Sequence, residues 1–349
     1  MSDKGNATGH EKLQSGQPGS DPSMLMQLST AYWGSQVLLT ANRMGLFDLL
    51  KDDGHSTEEL ASALGLQPRH LLLFLRACVG LGLLTESPAG QYRNSPLSAA
   101  FLVPGAPGFM GNAISYSDNL YDTWGQLEQT LRSGTPPMAT DTYTGHDAEK
   151  TRHFVYGMHD RALGIGQAMV GIVDLTKYRR MLDIGGGPGT YSSLFARRHP
   201  ELRSVVMDLP GVVAIASEII AGLGVADRVD TLAGDYLNDH WPGGNDVVLI
   251  SGVFHRESEQ GCRALIDSAR QALEVGGLLV VSDVFTDAGN TTPPFAALFG
   301  LNMMLTAPDG GVHADADVGQ WMIDAGFTDI QYRQFPPPMP HRVVMGTRA

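Results

Sequence analysis

Only two cysteines, Cys78 and Cys262, occur in the 349 residues of this chain. They stand far apart, each within an apolar helical pattern, so a disulfide framework is excluded and buried free thiols are expected. No apolar run reaches the roughly 20 residues that a membrane helix needs. Residues 1–22 are polar and carry no apolar core of the kind a signal peptide uses. Cationic side chains are scarce too: 24 Lys and Arg stand against 37 Asp and Glu, for a formal net charge of −13. A surface of that sign repels phosphate backbones and anionic lipid, so neither nucleic acid nor membrane is an expected partner. A small-molecule ligand and a cytoplasmic location are expected instead. There is no internal repeat and no low-complexity segment beyond the first 22 residues.

Hydrophobic residues make up 43% of the chain, enough for a globular protein with a sizeable core. The patterning divides it into a disordered tail over 1–22, a helical domain over 23–105, a helical linker with pocket helices over 106–177 and an α/β domain over 178–349. Residues 23–50 are apolar on most turns and predict a largely buried helix with a break near Gly45. Ser56 with Glu59 forms a capping box, Gly65 ends that helix and Pro68 opens the next. Residues 83–93 then predict a two-stranded wing. Helix-turn-helix plus wing is a shape used to bind DNA, but a groove-reading helix needs an exposed polar face. Here the second helix is leucine-rich on more than one face and offers only Arg69, His70 and Arg76, so it is expected to pack. Residues 134–147 read as an exposed connection, and a long helix is expected over about 147–175.

From Tyr178 onward, six short β-rich runs appear: RRMLDIG, LRSVVMDLP, RVDTLAGDY, NDVVLISGVF, GGLLVVSDVF and HRVVMGTR. Helical stretches near 190–199, 211–224, 258–274 and 314–325 separate most of them. This alternation, with near-continuous apolar strands, predicts a parallel, doubly wound sheet. Ligands of such sheets sit beyond the C-terminal strand ends, at the first turn. That turn is Gly185-Gly186-Gly187-Pro188-Gly189, where glycine lets a ligand approach the backbone. Its spacing does not fit the dinucleotide fingerprint G-x-G-x-x-G: counted from Gly185 the last position is Thr190, and counted from Gly186 the second glycine falls on Pro188. Asp183 just ahead of the turn would also repel a pyrophosphate.

An aspartate in that place suits a cationic ligand without phosphate, and S-adenosyl-L-methionine is such a ligand. Asp183 then favours its positive methionine end, directly or through water. Asp208, 19 residues past Gly189 at the end of the second strand, is placed to accept the ribose hydroxyls. Asp235, after the third strand, is placed to accept from the adenine amino group. Three acids at successive strand ends outweigh a reading as solvated surface.

These motifs, with Asp-Leu-Pro at 208–210, resemble the cation-independent small-molecule O-methyltransferases, the plant caffeate and acetylserotonin type with bacterial natural-product relatives. The resemblance covers residues 23–349. It implies a Rossmann-like class I S-adenosyl-L-methionine-dependent methyltransferase domain preceded by a mostly helical winged-helix dimerisation domain, and a homodimer formed through the latter. Around the cofactor it implies Gly185, Gly187, Asp208, Leu209, Asp235 and Tyr236, with Ser251 where the family often has a basic or polar residue. His255 holds the position of the family's general base. A phenol has a pKa near 10 against about 6.5 for imidazole, so a histidine accepts the proton as the methyl moves, worth about 10²–10⁴ in rate.

The pattern departs from the family around that base. The Asp-Trp that follows the histidine is Arg256-Glu257 here. Of the two acids that flank it, the first falls on Asp283, expected to orient His255, and the second falls on His313, which is instead suited to an anionic substrate group if protonated. His255, Asp283 and His313 also have the composition of a two-His-one-carboxylate metal site, but no metal is expected on composition alone. Met158 and His159 on the long helix, and Asn302 and Met303 further on, are the candidate substrate-pocket residues. The favoured function is O-methylation of a hydroxyl on a small aromatic or enolic metabolite. The alternatives are S- or N-methylation of a small anionic acceptor, such as a thioether acid, by proximity without a base; metal-assisted C-methylation or hydroxylation on the same scaffold; and a winged-helix regulator that senses the cofactor.

Overall fold

The computed structural model describes residues 21–137 and 147–349. The polar tail expected over 1–22 and the exposed connection expected over 134–147 lie for the most part outside the described residues. The N-terminal unit begins with three helices, Ser23–Thr30, Tyr32–Arg43 and Leu46–Leu49. Gly45, between the last two, has φ 68°, a left-handed conformation that glycine adopts without strain. The expectation of one largely buried helix needs correction here. The segment Ser23–Thr30 has no buried residue, and Met24, Leu25, Met26 and Leu28 are each 63–68% exposed. Its apolar side chains find no counterface among the described residues.

The next pair of helices follows the sequence signals closely. Ser56 Oγ accepts from the Glu59 N–H at 3.2 Å, while Glu59 Oε2 accepts from the Ser56 N–H at 2.7 Å, closing the capping box on the helix Thr57–Leu64. Pro68 opens the helix Pro68–Gly80, which buries Leu71, Leu75 and Cys78. The antiparallel strands β1 (Leu84–Glu86) and β2 (Tyr92–Asn94) form the wing. Leu46, Phe47, Leu60 and Tyr92 share one core with the buried face of Pro68–Gly80, so this helix is a packing element.

A long helix, Ala148–Ile172, lies against the helix Gly111–Asn119 on one side and the α/β domain on the other. Its buried Asp160 accepts from the Asn112 N–H at 3.0 Å, near the start of Gly111–Asn119. Burial pushes that carboxyl up to about 6, with the backbone hydrogen bonds opposing.

The α/β domain is built on seven strands: β3 (Arg180–Ile184), β4 (Arg203–Asp208), β5 (Val229–Ala233), β6 (Asn245–Ser251), β7 (Leu273–Val284), β8 (Phe327–Gln334) and β9 (His341–Arg348). Their order is β5-β4-β3-β6-β7-β9-β8. The first five are parallel, as the alternation predicts, and chain order reverses between β3 and β6, which opens the crevice there. Two features differ from the expected all-parallel sheet. β9 runs antiparallel between β7 and β8, and β8 is a strand that the apolar runs do not reveal. Its sequence FTDIQYRQ buries only Phe327, because it is an edge strand with both faces largely open. Cys78 and Cys262 are both buried and unpaired. Among the described residues no helix is long and apolar enough to cross a membrane.

Candidate active site

The glycine turn follows β3 and leads into the helix Thr190–Arg198. Gly185, Gly187 and Gly189 all adopt positive φ, at 61°, 53° and 68°. A side chain at Gly185 would also collide with Val253 Cγ2, 2.7 Å from where its Cβ would stand. Gly186 is constrained differently. A methyl group there would stand 2.7 Å from Asp183 Cγ and 2.9 Å from both carboxylate oxygens. Asp183 is therefore sealed beneath the loop and fully buried, which corrects the expectation that it can touch a ligand directly. Its Oδ2 accepts from Ser192 Oγ at 2.6 Å, while Oδ1 has no hydrogen-bond partner among the described residues. Burial pushes its carboxyl up to about 7; the Ser192 hydrogen bond opposes this and the nearby Asp208 adds to it.

Asp208 ends β4 and closes the loop from the side. Its Oδ2 accepts from the Gly187 N–H at 2.8 Å and its Oδ1 from the Leu209 N–H at 2.7 Å. A carboxylate thus occupies a backbone N–H that a phosphate cradle would offer to its ligand, and each oxygen keeps a further lone pair. Leu209 is the N-cap of the helix Pro210–Gly222. Asp235, past the end of β5, accepts from the Leu237 N–H at 2.9 Å and from Asn238 Nδ2 at 2.7 Å. Tyr236 beside it lays its ring toward Gly185 and donates its hydroxyl to Glu257 Oε1 at 2.8 Å. Burial, and then the charge of Glu257, pushes that hydroxyl up. Ser251 ends β6 opposite Ser282 of β7.

The 3₁₀ turn Phe254–Arg256 follows β6 and carries His255. Its Nδ1 lies 2.7 Å from Asp283 Oδ1, and its backbone N–H donates to Asp283 Oδ2 at 3.2 Å. Burial alone would push the Asp283 carboxyl up, but the His255 charge and three hydrogen bonds outweigh it and hold the group below the usual carboxylate range. An ionised carboxylate only accepts, so Nδ1 carries a proton in either state of the ring, and in the neutral ring Nε2 presents its lone pair. The ring is 15% exposed and meets the edge of Phe299 at 5.0 Å between centroids.

Several candidate residues stand elsewhere than expected. His313 does not complete a set with His255 and Asp283: its Nε2 faces the carbonyl oxygens of Phe254 at 3.1 Å and Glu257 at 3.0 Å, so it is not presented to an anionic substrate group. Among the described residues no group of three His, Cys, Asp or Glu side chains is placed to hold a metal ion. His159 Nδ1 lies 2.7 Å from Thr190 Oγ1, at the first residue past the glycine turn, and burial lowers its pKa. Met158 packs with Tyr116 and Leu120, whereas Met303 is only 5% exposed and belongs to the body of its helix. Asn302 Oδ1 accepts from the Trp124 indole N–H at 2.9 Å, which fixes the orientation of the amide. Trp124 and Phe299 escape the sequence reading, since no local motif marks them, while Thr190 and Glu257 enter it only as departures from a motif.

The crevice fits a phosphate-free cationic nucleoside. A buried carboxylate oxygen without a partner among the described residues lies under a loop that a single Cβ would fill, and acids stand at the ends of β4 and β5.

A family model described as the O-methyltransferase domain matches residues 125–328, and one described as the O-methyltransferase dimerisation domain matches residues 26–104. The chain is 33% identical over 332 residues to the 3-hydroxy-5-methyl-1-naphthoate 3-O-methyltransferase of Streptomyces sahachiroi, covering 94% of this chain and 96% of that protein. It is 34% identical over 276 residues to the N,N-dimethyltransferase OxyT of Streptomyces rimosus, covering 77% and 80%. The solved structure of human N-acetylserotonin methyltransferase in complex with SAM superposes with a TM-score of 0.86 at 23% identity, covering 97% of this chain and all of that one.

Proposed function

The chain belongs to the O-methyltransferase family, and from that premise we propose that it methylates a hydroxyl of a small aromatic or enolic metabolite, with His255 as the general base. It is an S-adenosyl-L-methionine-dependent methyltransferase with its own dimerisation domain. When bound, the cofactor supplies an electrophilic methyl group on a sulfonium. Gly185, Gly187, Asp208, Leu209, Asp235 and Tyr236 hold it, and Asp183 supplies negative charge from beneath the loop. We further propose that the exposed helix Ser23–Thr30 pairs two copies of the chain, since its apolar side chains lack cover among the described residues.

The His255–Asp283 pair is the observation that carries this reading. Asp283 holds the Nδ1 proton, so Nε2 is the one ring atom left to take a proton from the acceptor hydroxyl. The carboxylate then stabilises the imidazolium that forms, and the remaining rate comes from alignment of the acceptor beside the base, whose ring meets Phe299 edge-on. Turnover of purified protein with S-adenosyl-L-methionine, followed by mass spectrometry, tests this on matched hydroxylated, amino and thioether versions of one polycyclic aromatic. Methylation of the amine but not of the hydroxyl would sink it. Likeness to an amine-methylating relative makes that outcome the second reading, in which His255 only binds the acceptor.

Asn302 is the proposed reader of the acceptor's neighbouring oxygen. Its Oδ1 is taken by Trp124, so its NH₂ is the donor left for a ligand carbonyl or carboxylate. Asn302→Asp keeps the indole's acceptor and removes that donor. It is expected to raise KM by about tenfold and leave kcat within about threefold, the mark of binding shared by ground and transition states. An unchanged KM for every acceptor would remove Asn302 from the pocket.

Cofactor binding is also expected to depend on pH through Asp183. Its carboxyl, pushed up to about 7, is protonated in much of the free protein at neutral pH. The ammonium of S-adenosylhomocysteine favours the ionised form, so binding expels a proton and tightens as pH rises through that range. Calorimetry in two buffers of different ionisation enthalpy reads the released proton directly, and equal apparent heats would refute the coupling.

A further inference from the structure

We propose that His313 is a positioning residue that clamps the turn bearing His255, its imidazole N–H bridging the two backbone carbonyls that flank the base. This rests on the reading of His255 as the base. The turn is held from two sides. In front, Asp283 takes both the backbone N–H and the ring Nδ1 of His255. Behind, the Gly311 N–H donates to the His255 carbonyl at 2.9 Å. One step further along the same segment, His313 Nε2 lies 3.1 Å from the Phe254 carbonyl and 3.0 Å from the Glu257 carbonyl.

Both of these atoms are acceptors, so Nε2 carries the proton and shares it between them. The Glu257 N–H already donates to the Phe254 carbonyl at 3.1 Å, and the imidazole N–H adds a second tie between residues 254 and 257 from outside the turn. Cys262 Sγ backs the same point, 3.5 Å from Nε2, 3.6 Å from the Phe254 carbonyl and 3.8 Å from the Glu257 carbonyl. The ring itself is held edge-on to Trp321 at 5.2 Å, and the His313 carbonyl accepts from the Thr286 N–H at 3.0 Å. Ring, backbone and proton are each engaged by these contacts, and through the two carbonyls His313 acts on the backbone that carries the base.

Removing the donor leaves the Glu257 carbonyl with only the weak Cys262 thiol and the Phe254 carbonyl with that thiol and the Glu257 N–H, and the turn loosens. A displacement of about 1 Å at a reacting group costs on the order of 10²-fold in rate. His313→Phe keeps a flat ring against Trp321 without the N–H, and His313→Gln restores an N–H at nearly the reach of Nε2. His313→Phe is expected to lower kcat by about 10–100-fold, with S-adenosylhomocysteine affinity within about threefold of wild type. His313→Gln is expected to recover most of the loss. Because the residue works through the base, His313→Phe is expected to cost nothing further in a His255→Ala background, where the two changes fall in one cycle. Thermal melts of each variant separate a loosened turn from a lost fold.

Wild-type kcat in His313→Phe, or a full additional loss on top of His255→Ala, would overturn the clamp. Failure of His313→Gln to recover turnover while melting like wild type would overturn the bridging N–H. Undiminished turnover in His255→Ala alone would overturn the base and the clamp with it, so the two failures are told apart.

Discussion

His255→Ala is expected to lower kcat by about 10²–10⁴, the range that positioned general bases supply, and to leave S-adenosylhomocysteine affinity unchanged. The chemistry dictates the direction. A hydroxyl keeps its proton at neutral pH, and methyl transfer to it is slow unless that proton leaves as the new bond forms. In the proposed mechanism the leaving proton goes to Nε2, because Asp283 already engages Nδ1 at 2.7 Å. The glycine loop proposed to hold the cofactor rests on Asp183 and is tied to Asp208 rather than to the imidazole. Asp283→Asn is a companion with the same sign. It preserves shape but removes the charge that fixes the ring and stabilises the imidazolium, and it too is expected to act on kcat. Initial rates at saturating cofactor, with calorimetry for affinity, check both. A change confined to KM in His255→Ala would mean that the histidine only holds the acceptor, as an amine methyltransferase allows.

Gly186→Ala is expected to weaken S-adenosylhomocysteine binding by about 10–100-fold, matching the roughly 1–3 kcal/mol that overpacking a tight site costs. The added methyl has nowhere to go. It would stand 2.7 Å from Asp183 Cγ, and Asp183 cannot retreat, because Ser192 Oγ bonds its Oδ2 at 2.6 Å and is itself 2.8 Å from Ser204 Oγ. The loop must rise instead, into the space the ligand needs. Gly187→Ala is the control: its φ of 53° brings conformational strain, but no atom lies within 4 Å of the added methyl. Strain of that kind costs about 1–2 kcal/mol and leaves the floor of the crevice in place. Calorimetry on both variants, with melts of the free proteins, compares clash with strain. Wild-type affinity in Gly186→Ala would mean that no carboxylate packs under the loop.

Local spacing made the glycine turn and the acids at the strand ends legible. A glycine-rich turn after an apolar strand, an acid 19 residues later and a third acid after the next strand are separated along the chain as they are across parallel strands, so linear order carries the geometry. The capping box at Ser56 and Glu59 was legible for the same reason, since both partners lie within one turn of helix. Edge strand β8 was not, because a strand with both faces largely open shows no apolar run. Nor was the exposure of Ser23–Thr30, since helical apolar periodicity marks a face without saying what covers it.

What the linear order of residues determined here is the α/β class, the crevice and the sign of its charge. Those follow from short-range rules of turns, caps and strand ends. Tertiary structure alone decided which way the side chains act. Asp183 supports the loop from below because Ser192 and Gly186 close over it. His313 faces two carbonyls because a segment more than fifty residues downstream folds behind the base. Trp124 meets Asn302 across a separation of 178 residues. Pairings of that length depend on how whole elements stack, and no periodicity within either segment encodes them.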